Sequence, residues 1–268
     1  MGFDQILLLA AIQGITEFIP VSSSGHLVLV HDWGASGSAN AQSAATIDVA
    51  LHFGTLLAVM VYFRADVRQL SIGAFDVLRH KKGAPRVAAL NMVYATLPVL
   101  LAAALLMGLG LLDVLRAPKI VAWASIGFAV PLYLADRYGA AHKDVTDMAA
   151  RPAFYMGLAQ MLALIPGASR AGVTIMAARG LGFSREAAAR YSMLMAMPVI
   201  LAFALFSFLE LLATNNFAAL GTALLGAALA AVFAFLTIDV FLKMTRRLSL
   251  LPFVIYRILL GAVILILV

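Results

Sequence analysis

The sequence predicts an all-α integral membrane protein in which six full transmembrane helices and two re-entrant helical hairpins form an inverted-topology repeat. Three observations predict it. Of 268 residues, 63% are hydrophobic and only 12% charged, whereas a soluble domain is nearer half apolar and a quarter charged. Apolar stretches recur at the length of roughly 20 residues that a bilayer demands. Two further apolar regions are interrupted at similar points by polar, Pro- and Gly-bearing segments. The absence of cysteine excludes thiol catalysis, thiolate metal sites and disulfides. The whole chain, 1–268, reads as one membrane domain, with repeat one over about 1–135 and repeat two over about 136–268.

The elements follow in order. Met1-Gly2-Phe3-Asp4 carries no basic segment and no clear small-residue cleavage site follows, so the N-terminus is expected to stay in the mature fold. The first broken region runs from Phe3 to Val30, around Ile19-Pro20-Val21-Ser22-Ser23-Ser24-Gly25-His26. Three spans follow: Thr46 to Phe63, Ala88 to Leu111 and Lys119 to Ala135. The second broken region runs from Ala153 to Leu181, around Ile165-Pro166-Gly167-Ala168-Ser169-Arg170-Ala171-Gly172. Three more spans are Ala189 to Leu212, Phe217 to Leu242 and Leu251 to Val268. Irregular backbone at membrane depth survives only where protein or a watery cavity surrounds it, so each broken region reads as a hairpin of two half-helices. A hairpin returns the chain to its starting side and three spans invert it, so the second half stands upside down relative to the first, with the working site where the broken helices meet. Gln13 and Pro20 in the first break match Gln160 and Pro166 in the second, with a one-residue difference in spacing.

Charge fixes the expected orientation. With the N- and C-termini outside, the inner segments 64–87, 136–152, 179–190 and 243–250 hold 15 of the 19 basic residues, and the outer segments hold only Arg116 and Lys119. The net charge of +6 therefore reflects cytoplasmic loops, and no nucleic-acid partner is expected.

Polar groups at membrane depth are candidates for function because burying them is expensive. Glu17 precedes the first break with Gln13 on the same helical face; it reads as a metal ligand, as an acid/base group, or as the ion-pair partner of an arginine in the other repeat. Ser22, Ser23, Ser24 and Gly25 can cap the next half-helix, but capping does not explain His26, a group suited to act as base, acid or nucleophile. Arg170 lies in a Gly-rich turn, Gly167 to Gly172, whose backbone N–H groups and helix end make an anion nest. Its planar fork suits phosphate. Val173 stands where a P-loop needs lysine, so the turn is not a Walker motif. Asp48 and His52 form an i, i+4 pair, as do Asp239 and Lys243, the latter an anchor. Arg257, inside the last span, is expected to snorkel or to meet a buried acid. Met161, Met176, Met193, Met195 and Met197 read as adaptable apolar packing that would also suit a lipid tail. The residues alone leave a membrane enzyme and a transporter of a phosphate-bearing ligand level.

The run from Gln13 to Leu27 and the run Pro166-Gly167-Ala168-Ser169-Arg170-Ala171-Gly172-Val173-Thr174 closely resemble the two signatures of the bacterial undecaprenyl-diphosphate phosphatase family, which is linked to bacitracin resistance. Asp48 to Thr55 and Leu251 to Arg257 are similar to other parts of the family, and the likeness spans essentially the chain. Gln13 stands where many members have glutamate and Ala171 where serine is usual. The resemblance implies hydrolysis of undecaprenyl diphosphate to undecaprenyl phosphate and inorganic phosphate at the bacterial inner membrane, from a site open to the periplasm, supported by Mg²⁺ or Ca²⁺. Its expected partners are that lipid and the surrounding membrane. On that reading Glu17, Ser23, His26 and Arg170 are catalytic, with Glu17 also holding the metal; Ser23 is the favoured nucleophile with His26 as its base, and attack by His26 itself or by a water it activates stays open. Gln13, Ser22, Ser24, Gly167, Ser169, Gly172 and Thr174 bind substrate. A lipid-phosphate flippase or anion-coupled secondary transporter is the alternative.

Overall fold

The computed structural model describes residues 2–23, 25–26, 41–214 and 220–268. Met1, the predicted substrate-binding Ser24, the residues from 27 to 40 and those from 215 to 219 lie outside them. Among the described residues there is no strand, only helix. The helices are α1 (Phe3–Thr16), α2 (Ala41–Tyr62), α3 (Arg64–Leu78), α4 (Ala84–Gly108), α5 (Leu112–Leu115), α6 (Pro118–Tyr138), α7 (Ala150–Met161), α8 (Arg170–Gly180), α9 (Arg185–Thr214), α10 (Leu220–Arg247) and α11 (Leu251–Leu267). Short 3₁₀ turns at Val145–Asp147 and Leu162–Leu164 precede and follow α7.

Local chemistry sets these boundaries. Proline opens α4, α6 and α11 at the first turn, where no amide donor is needed. Pro20 and Pro166 stand in the two irregular segments that follow α1 and α7. Four helices, α4, α6, α9 and α10, are long and apolar enough to cross a bilayer, and α2 with α3 adds a fifth candidate bent by 91° at Phe63. The apolar helices α1 and α11 are shorter. The sequence reading treats 64–87 as a loop. Most of it is helix α3, which carries Ile72, Phe75 and Leu78 exposed beside Arg64, Arg68 and Arg79, the amphipathic composition of a helix lying in the membrane interface.

α1 lies on α10 and α7 lies on α4, α6 pairs with α11, and α2 packs chiefly on α10 and also on α9. Glycine permits the contacts of α1 on α10 and of α7 on α4. A Cβ on Gly14 would strike the Ala230 carbonyl on α10, and one on Gly157 would strike the Tyr94 and Ala95 carbonyls on α4. α9 is the most enclosed span, 56% of its apolar window lying inside the protein. Met193, Met195 and Met197 are buried in this core, so these three serve packing rather than a lipid-tail surface.

Asp136 ties down one end of the bundle. It is 5% exposed and accepts from Arg185 (Nε 2.6 Å, Nη2 3.2 Å) and from the Leu250 amide (2.9 Å), so the end of α6 holds the starts of α9 and α11. Arg179 caps the same end by donating to the carbonyls of Asp136, Gly139, Ala140 and Phe183.

Candidate active site

The two irregular segments are built alike. Ser22 has φ +76° and Ser169 has φ +64°, a left-handed conformation that costs a residue with a Cβ about 1–3 kcal/mol. Each serine caps the helix it starts: Ser22 Oγ accepts from the Gly25 amide (3.4 Å) and Ser169 Oγ from the Gly172 amide (3.2 Å). The matching unit is therefore Ser-X-X-Gly, with Ser22 facing Ser169 and Ser23 facing Arg170 in the alignment. Aligning the prolines instead, as the sequence reading does, leaves the one-residue mismatch.

The two turns bring their functional groups together. Arg170 Nη2 donates to both the carbonyl and Oε1 of Glu17, each at 3.3 Å, and Nη1 donates to the Ser192 carbonyl at 3.0 Å. The guanidinium lies 5.9 Å over the Phe18 ring. The ion pair between the repeats, one of the readings of Glu17, is present, with side-chain exposures of only 13% and 7%. The other carboxylate oxygen, Oε2, accepts from Gln13 Nε2 (2.8 Å) and from Ser23 Oγ (3.3 Å). His52 Nε2 stands 3.8 Å from it. Its Nδ1 donates to the backbone carbonyl of Asp48 (2.8 Å), so His52 is aimed at Glu17 from a neighbouring span.

His26 is placed otherwise than the sequence suggests. Its Nδ1 lies 2.8 Å from the Ser22 carbonyl and its Nε2 2.6 Å from Tyr256 Oη. A carbonyl only accepts, so Nδ1 carries the proton. In neutral His26, Nε2 then accepts from Tyr256. The rings are stacked at 5.5 Å and 10°. Ser23 hydrogen-bonds Glu17, not His26.

The remaining predicted residues divide into two groups. Thr174 is fully enclosed and hydrogen-bonded to the Arg170 carbonyl (2.8 Å) and Ser192 Oγ (2.6 Å), so it steadies Arg170 and its acceptor. Ser22, Ser169 and Gln13 are buried. Gly167 has φ +93° and its carbonyl accepts from Arg257 Nη2 (3.0 Å). A Cβ on Gly172 would collide with the Arg257 guanidinium. Arg257 itself neither snorkels nor meets an acid. It is fully buried and donates to the carbonyls of Gly167 and Ser125 (3.2 Å), bracing the turn from behind. Tyr256 and Ser192 are the site residues that sequence reasoning missed; Tyr256 had a signal, as the neighbour of the one arginine in the last span.

Whether a divalent cation suits these residues can be tested on their chemistry. Among the described residues no three His, Cys, Asp or Glu side chains converge, so a cation here would draw on other oxygen donors and water as well. Gln13 turns its Nε2 to Glu17 Oε2, and its Oε1 is buried with no hydrogen-bond partner. With the amide turned over, its oxygen and the Glu17 carboxylate would make a donor pair suited to Mg²⁺ or Ca²⁺, and Mg²⁺ usually keeps several of its ligands as water.

A helical membrane bundle that gathers an arginine, a carboxylate and a serine at the meeting point of two broken segments defines an anion-handling site. The chain matches the family described as bacitracin resistance protein BacA over residues 6–263, and it belongs to that family. It is 42% identical over 269 residues to the undecaprenyl-diphosphatase of Maricaulis maris, covering 99% of both chains. The undecaprenyl-diphosphatases of Roseobacter denitrificans and Dinoroseobacter shibae are 40% and 42% identical, each across 99% of this chain and 98% of the relative.

Proposed function

We infer that this protein hydrolyses undecaprenyl diphosphate to undecaprenyl phosphate and inorganic phosphate. The observation that carries the chemistry is the single cluster in which Arg170, Glu17 and Ser23 meet across 153 residues of sequence. The relatives' shared name favours hydrolysis over the flippase alternative.

Arg170 and the first turn of α8 bind the terminal phosphate, the guanidinium offering its fork and the helix its positive end. Ser23 Oγ attacks the terminal phosphorus and its proton passes to Glu17 Oε2, the acceptor it already faces. The bond from phosphorus to the bridging oxygen breaks and the lipid monophosphate leaves. Water then attacks the phosphoserine, the Oγ–P bond breaks, and Ser23 takes a proton back as phosphate departs. This replaces His26 by Glu17 as the group that receives the serine proton. His26, held by Ser22 and Tyr256, shapes the mouth of the site. Glu17 neutralises Arg170, so an entering diphosphate meets no net positive charge from the pair. A divalent cation held by Glu17 and Gln13 Oε1 would supply the missing charge and stabilise the serine alkoxide.

The finer topology belongs to the same reading: six spans, two re-entrant hairpins, inverted halves, termini outside and the site open to the periplasmic face of the inner membrane. Reciprocal packing of α1 on α10 and α7 on α4, the paired serine caps and the asymmetry of basic residues support it.

The test is phosphate release from a prenyl diphosphate by the purified protein in detergent, with Mg²⁺, with Ca²⁺ and with EDTA. Release that depends on metal and is lost in Glu17→Ala is expected. Well-folded protein that releases nothing under any metal would overturn the assignment, since detergent offers no second side for a flippase.

A further inference from the structure

Helix α8 carries Arg170 at one end and Arg179 near the other, and Arg179 opens onto a second polar hollow. This cavity, of about 480 Å³, is lined by Asp136, Arg137, Arg179, Arg185, Glu186 and Arg246, among others. Four arginines face two carboxylates. Asp136 is shared by Arg185 at 2.6 Å and Arg179 Nε at 3.5 Å, and Glu186 takes Arg246 at 2.6 Å. Arg137 is exposed and, among the described residues, has no ion-pair partner; its guanidinium lies 5.9 Å over the Tyr138 ring. Arg179 spends its terminal N–H groups on backbone carbonyls, so the groups left to a ligand are the fork of Arg137 and the outward N–H groups of Arg185 and Arg246. The first turn of α9 enters the same hollow, with Ser184 Oγ capping the Ala187 amide at 3.1 Å, and the positive end of that 30-residue helix adds to the surplus.

Depth narrows the ligand. Nine residues of helix separate Arg170 from Arg179, about 14 Å at the α-helical rise. Half a bilayer's hydrocarbon core is about 15 Å. With Arg170 near the midplane, as the functional reading has it, the hollow lies at headgroup level. Tyr138, 77% exposed and next to Arg137, is placed as interfacial tyrosines are. The net positive lining repels metal ions and favours an anion, and arginine forks select phosphate oxygens.

We propose that this hollow binds the phosphate of an anionic phospholipid headgroup, in the leaflet on the side opposite the mouth of the Ser23 site. Basic pockets between helix ends on the positively charged side of a membrane protein have the chemistry for this. The chain in neutral detergent, titrated with short-chain phosphatidylglycerol, should gain roughly 2–4 °C in Tm at saturation, a shift typical of ligand linkage in a protein of this size. Phosphatidylcholine should give no shift. The double variant Arg137→Gln/Arg246→Gln changes only exposed side chains, so it should keep its resting Tm and its phosphate release while losing the phosphatidylglycerol shift. Inorganic phosphate is the third arm. A shift with phosphate alone, lost in the double variant, would overturn the lipid as source and leave a free-phosphate site. A phosphatidylglycerol shift that persists in the double variant, or an equal shift with phosphatidylcholine, would overturn the site itself. The readout is binding in detergent, so it stands or falls separately from the hydrolysis assay.

Discussion

The turns at 20–25 and 166–172 share one backbone device and carry different chemistry. In each, a serine held at positive φ caps the next helix through the amide of a glycine three residues on. The residue after the serine differs: Ser23 in the first turn, Arg170 in the second. One element thus presents a hydroxyl and its counterpart a fixed cation, both converging on Glu17. Two strained, well-braced turns share a backbone, and a single side chain at the equivalent place distinguishes them.

The largest expected effect comes from the second turn. Arg170→Ala removes the cation and leaves Glu17 buried and unpaired, the kind of change that costs about 3–5 kcal/mol. Phosphate release should fall by at least about 10³-fold, comparable to losing a key stabilising donor. Arg170→Lys keeps the charge but cannot reach the Ser192 carbonyl and Glu17 together, so it should recover only a small part. In the first turn, Ser23→Ala should lower release by about 10²–10⁴-fold, the range for loss of a group directly engaged in proton or phosphoryl transfer, with unchanged thermal stability because Ser23 is only half-buried. Near-normal turnover in Ser23→Ala would move the nucleophile to water and break the division of labour between the turns.

A smaller effect tests the support that only the first turn has. Tyr256→Phe removes the hydroxyl that meets His26 Nε2 and keeps the stacked ring. A lost hydrogen bond of about 0.5–1.5 kcal/mol corresponds to roughly a 2–13-fold fall in kcat, with KM little changed. A silent variant would show that His26 needs only the Ser22 carbonyl to hold it.

Much of this was legible in the sequence, and the rest was hidden for identifiable reasons. The pairing of Glu17 with Arg170 is foreseeable because a buried carboxylate and a buried guanidinium at membrane depth must find partners. The family itself is readable from the two signatures. The His26–Tyr256 contact spans 230 residues, and helical spacing speaks only to neighbours within a turn or two. The same limit made His52 look like a partner for the Asp48 side chain, when its ring takes the Asp48 carbonyl and turns to Glu17. Arg257 is expected to snorkel or to meet an acid, yet the carbonyls of Gly167 and of Ser125 in α6 serve it instead. Helix α3 reads as loop in the sequence because its charges obscure its apolar face.

The smallest effect is the sharpest test of likeness between the turns. Ser22→Ala and Ser169→Ala each lose a cap, at about 1 kcal/mol, and still hold a Cβ at positive φ. Ser22→Gly and Ser169→Gly lose only a few tenths of a kcal/mol as caps and shed a backbone strain of about 1 kcal/mol or more. Glycine should therefore be more stable than alanine by about 1–2 kcal/mol at both positions, read as thermal unfolding in detergent. If the order holds at Ser169 and fails at Ser22, the first turn is relaxed where the second is strained, and the two are alike in sequence only. If it holds at both, the strain is a property of the repeated turn, independent of whether a serine or an arginine follows the cap.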